Sequence, residues 1–216
     1  MLYMLLLAAV LVLSSGDPAW AGGWLYMAAV VAGNLVTAWT LALGDADLLR
    51  ERSAAAALQE VKAWDRRLAP LVAFAPLAIV LAGGLAVRDR WTPVFTPAAM
   101  AAGLALFAAG LLLGLWAMSV NPFYAPVVRI RPAHGHTVVT SGPYRGVRHP
   151  GALGAIVADL AVPLVLGSPW AYPFAVLVVG LVVLRTALED RDLRAELPGY
   201  PEYAARVRWS LLPWVW

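Results

Sequence analysis

The sequence predicts an all-α integral membrane protein, a polytopic helical bundle with about six transmembrane segments. Of its 216 residues, 62% are hydrophobic and only 13% are charged. The mean hydropathy of +0.73 is higher than a soluble domain of this size requires. This composition excludes intrinsic disorder, and the scarcity of charge argues against a nucleic-acid-binding protein. The sequence has no Cys, which excludes disulfides, thiolate nucleophiles and Cys-bound zinc.

Six apolar segments predict the membrane spans. A helix needs about 20 apolar residues to cross a hydrocarbon core of about 30 Å. The predicted segments are residues 1–13, 24–43, 68–87, 97–120, 151–166 and 170–184. The last two are separated only by Gly167, Ser168 and Pro169, which predicts a helical hairpin. The first could instead be a secretory signal, but it lacks the basic residues that normally open one.

The distribution of positive charge predicts the orientation in the membrane. With six spans, only Arg88 and Arg90 of the 16 Lys and Arg residues fall outside the inner loops and the C-terminal tail. Cytoplasmic loops carry an excess of Lys and Arg. We therefore expect both termini and any active site to face the cytoplasm, in the inner membrane of a bacterium.

Polar residues divide the chain into two predicted portions. Residues 1–120 hold four transmembrane helices, with an inner loop at 45–67 that is either an amphipathic surface helix or a solvated connector. Residues 121–216 hold a polar loop, the hairpin at 151–184 and a polar C-terminal segment. Most side chains capable of chemistry lie in this second portion, within residues 121–150 and 185–208.

The first polar cluster, at residues 140–154, reads TSGPYRGVRHPGALG. Gly142 and Pro143 predict a turn, and Pro150 is expected at the first position of the following helix. A helix start offers free backbone N–H groups to an anion, and the neighbouring Arg148 adds a fork suited to a carboxylate or phosphate. The alternative is a basic loop that touches anionic lipid headgroups.

The second polar cluster follows the last apolar segment. Arg185 and Glu189 are four residues apart, on one face of a helix. They could form a simple ion pair, or Glu189 could bind a cationic or hydroxyl-bearing ligand while Arg185 balances its charge. Tyr200 and Tyr203 follow, and aromatic rings beside a carboxylate suit a cationic ligand or an interfacial aromatic belt.

Two motifs in this order resemble a known family. The stretch GPYRGVRHPGALG, an apolar hairpin and then RTALEDRDLRAELPGYPEYAARVRWSLLP are similar to the isoprenylcysteine carboxyl methyltransferase family of integral membrane methyltransferases, including its bacterial members. The upstream pieces NPFYAPVVRI and HTVVTSGPYR are also similar to the bacterial branch. The specific part of the resemblance covers residues 121–216.

The resemblance implies methyl transfer from S-adenosylmethionine at the cytoplasmic membrane surface. The residues that it implies around the cofactor are Gly142, Tyr144, His149, Pro150, Glu189 and Tyr203. The residues that it implies near the reacting centre are Arg148, Arg185, Arg206 and Glu189. The reaction requires no metal, and we expect a metal-free site whose only other partners are the methyl acceptor and membrane lipids.

The chain departs from the family pattern at two positions. Ala152 stands where the family has a bulky, usually aromatic residue, and Glu189-Asp190 replaces a pair of glutamates. The acceptor is open: a carboxylate is favoured, but a thiol, an amine or a lipid-like molecule fits as well. Two rival functions are an NADPH-dependent membrane reductase of the sterol-reductase type and a non-catalytic membrane scaffold.

An isolated acid in the hairpin is a further candidate. Asp159 lies in the middle of an apolar segment, where an ionisable side chain should face a partner or a cavity.

Overall fold

The computed structural model describes residues 2–42, 61–91, 93–130 and 135–216, and every regular element in these ranges is a helix. Within these ranges there are eight α-helices: α1 (Leu2–Ser15), α2 (Ala21–Ala42), α3 (Asp65–Phe74), α4 (Pro76–Arg88), α5 (Pro97–Val120), α6 (Pro150–Val165), α7 (Tyr172–Glu196) and α8 (Tyr200–Arg206). Two short 3₁₀ helices, Gly142–Arg145 and Pro169–Ala171, precede α6 and α7. The predicted all-α class is confirmed.

In the described part of the chain, four stretches of helix are long and apolar enough to cross a membrane. They are Ala21–Thr40, Asp65–Arg88, Pro97–Val120 and Pro169–Glu196. The predicted first and fifth segments form the shorter apolar helices α1 and α6, of 14 and 16 residues. A 16-residue helix is about 24 Å long, which is less than the hydrocarbon thickness of about 30 Å. The chain is an integral membrane protein with four helices of spanning length, and six spans stay a prediction.

The third predicted segment differs from the structure at its start and in its middle. Helix begins at Asp65 rather than at residue 68, and α3 gives way to α4 at Pro76, which has no N–H to continue the hydrogen-bond ladder. The predicted inner loop at 45–67 lies mostly outside the described residues. Its described end consists of a turn at residues 61–64 and the first residues of α3.

Close backbone contact joins α5 to α6, which form the most extensive helix pair in the described part of the chain. A Cβ placed on Gly110 would lie 2.5 Å from the carbonyl oxygen of Gly154, and a Cβ on Gly154 would lie 2.5 Å from that of Gly110. Gly103 is similarly crowded by Leu164. Small residues let membrane helices approach this closely, because nothing separates the two backbones.

We expect Gly110→Ala to destabilise the protein by about 1–3 kcal/mol, since the new methyl group overlaps backbone atoms of α6 that cannot move aside. Gly114→Ala is the matched control on the same helix, because a Cβ there meets nothing within 4 Å. The control should be neutral, or stabilised by up to about 1 kcal/mol through helix propensity. Unfolding of the detergent-solubilised variants measures the difference, and equal stabilities would contradict the packing described here.

Candidate functional site

A cavity lies where the first turns of α6, the C-terminal half of α7 and α8 meet the segment 121–130. Its polar end is lined by His149, Glu189 and Tyr203. Its apolar end is lined by Val72 of α3, Ala152 of α6 and Val182 of α7. The cavity therefore joins the charged end of the helix bundle to a depth at which α3, α6 and α7 present only apolar side chains.

A tight turn precedes the cavity residues Arg148 and His149. Gly142 has φ +56°, a left-handed conformation that favours glycine, and it opens the 3₁₀ helix Gly142–Arg145. The chain then extends to His149, and Pro150 is the first residue of α6. The predicted turn at Gly142-Pro143 and the predicted helix start at Pro150 are both confirmed.

Arg148 is buried and holds the C-terminal segment in place. Its Nε and Nη2 donate to the two carboxylate oxygens of Asp190, at 2.7 and 3.1 Å. Its Nη1 donates to the backbone carbonyls of Val207 and Arg208, at 2.9 and 2.7 Å. These bonds occupy four of the five guanidinium N–H groups. Burial opposes the charge of Arg148, but the hydrogen bonds and the charge of Asp190 raise its pKa above the usual value.

Asp190 is the centre of this network. Besides Arg148, its carboxylate accepts hydrogen bonds from Arg194 Nε at 2.8 Å and from the Tyr200 hydroxyl at 2.8 Å. His149 Nε2 lies 3.2 Å from the same carboxylate. Burial, together with the negative charge of Asp190, raises the pKa of Tyr200 well above its usual value, so the phenol stays protonated and donating.

Unlike Asp190, Glu189 has carboxylate oxygens that accept no hydrogen bond from a described residue. Its carboxylate lines the cavity and is about one-third exposed. His149 Nδ1 lies 3.9 Å from it, too far for a hydrogen bond. Among the residues that the structure describes, none donates a hydrogen bond to this carboxylate. Glu189 is therefore an acidic cavity side chain whose oxygens are available to a ligand.

Arg185 pairs with a residue 120 positions away. Its Nε and Nη2 donate to the carboxylate of Asp65 at 2.8 and 3.0 Å, and Nη2 also donates to the Pro126 carbonyl at 3.0 Å. Asp65 is fully buried and accepts a further bond from the backbone N–H of Val128. The hydrogen-bonded partner of Arg185 is thus Asp65 rather than Glu189, the partner that helical spacing suggests.

Two tyrosines form an aromatic wall beside Glu189. The hydroxyl of Tyr203 donates to the backbone carbonyl of Tyr144 at 2.7 Å, and the hydroxyl of Tyr144 accepts from Asn121 at 2.9 Å. Burial raises the pKa of Tyr144 and raises that of Tyr203 to about 12. Both rings are consequently neutral near pH 7, and they bring no negative charge of their own.

The structure brings six of the nine candidate site residues to the cavity. The residues that line it are Tyr144, Arg148, His149, Arg185, Glu189 and Tyr203. Three others are absent from the lining. Gly142 packs beside Val120 and Trp116 of α5, Pro150 is buried at the start of α6, and Arg206 is exposed at the end of α8.

The two departures from the family pattern have distinct places. Ala152 lies at the apolar end of the cavity, so its small side chain leaves open space that an aromatic ring would fill. Asp190 is absent from the cavity lining and serves the Arg148 network, whereas Glu189 faces the cavity. The two adjacent acids are therefore not interchangeable.

Sequence reasoning missed Asp65 and the network centred on Asp190. One signal pointed to Asp65. An acid at the boundary of an apolar segment needs a cationic partner, and Arg185 lies at the corresponding boundary of another segment.

Comparison with known proteins supports the resemblance. Residues 101–195 match the sequence model of the isoprenylcysteine carboxyl methyltransferase (ICMT) family. The match contains Tyr144, His149 and Glu189, but it ends before Tyr203. No curated protein matches the chain. Over residues 101–195, which are somewhat less than half of the sequence, the similarity to the isoprenylcysteine carboxyl methyltransferase family is thus confirmed.

Proposed function

We propose that the chain is an S-adenosylmethionine-dependent methyltransferase that acts on a small or lipid-like acceptor within the membrane. The observation that carries this proposal is the Glu189 carboxylate, which lines the cavity without accepting a hydrogen bond from any described residue. The family match favours methyl transfer over the rival functions.

The lining residues fit such a donor. The oxygens of Glu189 can accept hydrogen bonds from ribose hydroxyls or from an ammonium group. Neutral aromatic rings of Tyr144 and Tyr203 beside this carboxylate attract a cationic sulfonium, by about 0.5–2 kcal/mol. When bound, S-adenosylmethionine supplies a methyl group activated by the positive charge on its sulfur.

Arg185 supports a carboxylate as the preferred acceptor. Its Nε and Nη2 are bonded to Asp65 and Pro126, while no described residue accepts from its Nη1. These two remaining N–H groups can orient an acceptor carboxylate, and such an acceptor needs no general base. The protein then contributes positioning and the exclusion of water.

A thiol or amine acceptor requires a base, and the cavity offers one. The imidazole of His149 lies between Asp190 and Glu189, with its Nε2 3.2 Å from one carboxylate and its Nδ1 3.9 Å from the other. An imidazole held in this way can take a proton from the acceptor. The two kinds of acceptor therefore depend on different residues. A carboxylate acceptor would be oriented by Arg185, whereas a thiol or amine acceptor would lose its proton to His149.

We also propose that the protein lies in a bacterial inner membrane, with the cavity and both termini on the cytoplasmic side. Four basic residues lie towards the cavity end of the bundle: Lys62, Arg191, Arg194 and Arg208. Arg88 is the last residue of the span Asp65–Arg88 and lies at the opposite end. This asymmetry agrees with the positive-inside rule. The preference for Arg over a single Lys supports a GC-rich bacterial origin. Residues 121–216 would form the cofactor-binding portion, completed by Val72 and Asp65 from the first 120 residues.

Calorimetric titration of the purified protein in lipid nanodiscs tests the donor. We expect saturable binding of S-adenosylmethionine and none of NADPH. Incubation with labelled donor and a lipid and metabolite extract, followed by mass spectrometry, should yield S-adenosylhomocysteine and one methylated product. Saturable binding of NADPH alone would favour the reductase, and the absence of S-adenosylhomocysteine with every acceptor pool would favour a scaffold.

We expect Glu189→Gln to weaken S-adenosylmethionine binding by about 10- to 100-fold, because hydrogen bonds to a charged group contribute about 1.5–3 kcal/mol. Glu202→Gln is the matched control, since Glu202 is exposed on α8 and does not line the cavity. The control should bind like the parent protein. Equal affinities for both variants would remove Glu189 from the site.

A further inference from the structure

The last eight residues, 209–216, return from α8 along the cavity wall, and we call them the C-terminal hook. The backbone N–H of Arg148 donates to the carbonyl of Trp209 at 2.9 Å, and that of His149 donates to the carbonyl of Ser210 at 3.0 Å. The hook thus begins in direct contact with two residues of the cavity.

The hook then runs toward the middle of the bundle. Leu211 is buried in an apolar cluster with Ile156 of α6 and Val182 of α7. Val182 lies eight residues before Asp190, which places it about 12 Å further along α7, within the span Pro169–Glu196. Leu211 therefore reaches the depth at which α7 is entirely apolar.

The outer surface of the hook is apolar. Trp214 is 87% exposed, Val215 is 75% exposed and Leu212 is 45% exposed. No side chain between residues 209 and 216 carries a charge. Exposed apolar residues also occur on α7, for example Leu177, so the hook has the same apolar surface character as a span that faces lipid.

Four of the seven backbone N–H groups of the hook donate hydrogen bonds within the hook. The N–H groups of Ser210 and Leu211 donate to the carbonyl of Trp216, and those of Val215 and Trp216 donate to the carbonyl of Leu212. Pro213 has no N–H to satisfy. Non-helical chain in hydrocarbon costs several kcal/mol for each unbonded polar group, and the internal bonds of the hook reduce this cost.

Basic residues mark where the hook would meet the lipid headgroups. Arg206 and Arg208 are exposed and immediately precede the hook. Each Lys or Arg near an anionic membrane surface contributes about 1 kcal/mol of attraction. The order along the chain, two exposed arginines and then an uncharged apolar turn, fits a segment that passes from the headgroup layer into the acyl chains.

We propose that the C-terminal hook lies in the bilayer leaflet on the cavity side, with the side chains of Trp214 and Val215 in contact with lipid acyl chains. It anchors the Arg148-His149 edge of the cavity to the membrane. This inference does not depend on the proposed methyl transfer, because it rests on the packing of Leu211 and on the exposure of the apolar side chains of the hook.

Depth-dependent fluorescence quenching tests the proposal. The chain has no Cys, so Val215→Cys gives a single labelling site for an environment-sensitive dye. The labelled protein is placed in nanodiscs that contain phosphatidylcholine and anionic phosphatidylglycerol. Quenching is measured with nitroxide lipids, whose spin label lies midway along the acyl chain, and with aqueous iodide. We expect strong loss of fluorescence with the nitroxide lipid and little loss with iodide.

Two reference positions make the outcome decisive. Leu177→Cys reports the lipid-facing surface in the middle of α7, and Glu202→Cys reports the exposed surface of α8. Quenching of the Val215→Cys protein that is closer to the Leu177→Cys pattern supports the proposal. Quenching that is closer to the Glu202→Cys pattern overturns it. Trp214→Cys, at another exposed position of the hook, repeats the measurement if the first label prevents folding.

Discussion

Asp190→Ala is expected to lower the free energy of unfolding by about 3–5 kcal/mol, because it leaves the buried guanidinium of Arg148 without its counter-charge. The same substitution removes the acceptor of Tyr200 and Arg194 and a neighbour of His149. Equilibrium unfolding of the detergent-solubilised protein, followed by circular dichroism, measures the loss.

Asp89→Ala is the matched control for this prediction. Asp89 forms a 3.4 Å ion pair with Arg88 at an exposed position, and exposed pairs contribute about 0–1 kcal/mol. Comparable losses for the two variants would show that the Asp190 network does not support the fold. A large loss for Asp190→Ala alone also bears on Arg148, because an inactive Arg148→Ala variant would then be explained by unfolding of the cavity wall rather than by a missing contact to a reactant.

We expect Asp65→Ala to destabilise the protein by about 3–5 kcal/mol as well. Arg185 would lose its bidentate partner, and the backbone N–H of Val128 would lose its acceptor. The segment at 126–128, whose Val127 and Val128 line the cavity, would then lose its hydrogen bond to α3. Equilibrium unfolding under the conditions used for Asp190→Ala measures the loss in the free energy of unfolding.

A double substitution separates charge balance from packing. Asp65→Leu combined with Arg185→Met replaces the ion pair by apolar side chains, and such replacements are often neutral or stabilising. We expect the double variant to recover much of the stability lost in Asp65→Ala, yet to remain inactive, because Arg185 is gone. A double variant no more stable than Asp65→Ala would contradict the charge-balance account, and full activity of this variant would remove Arg185 from the proposed reaction.

The helices were predictable because their signal is local. Apolar segments of spanning length gave the class of the fold, and Pro150 marked the start of α6 correctly. Hydropathy predicts the start of α3 three residues late, because Asp65 is charged and is grouped with the polar loop that precedes the apolar segment. A buried ion pair with Arg185 allows this charge to enter a helix that hydropathy alone would begin later.

The site was predictable only where the chain itself brings residues together. His149 and Glu189 were identified from motifs that resemble a family, and the structure places both at one cavity. The partner of Arg185 was missed, because spacing along one helix suggests Glu189 and cannot reveal a residue on a distant helix. Arg206 matched a basic position of the motif, but α8 turns it to the outside.

The bonds from Arg148 to the carbonyls of Val207 and Arg208 have a consequence for the order of biosynthesis. These contacts join residues about 60 positions apart, so the guanidinium has no complete set of partners until residues 207 and 208 have left the ribosome. Domains and their parts generally fold as the chain emerges, with the earliest segments first. The hydrophobic helices that precede residue 207 can therefore insert while translation continues, whereas the cavity closes only after Val207 and Arg208 have emerged.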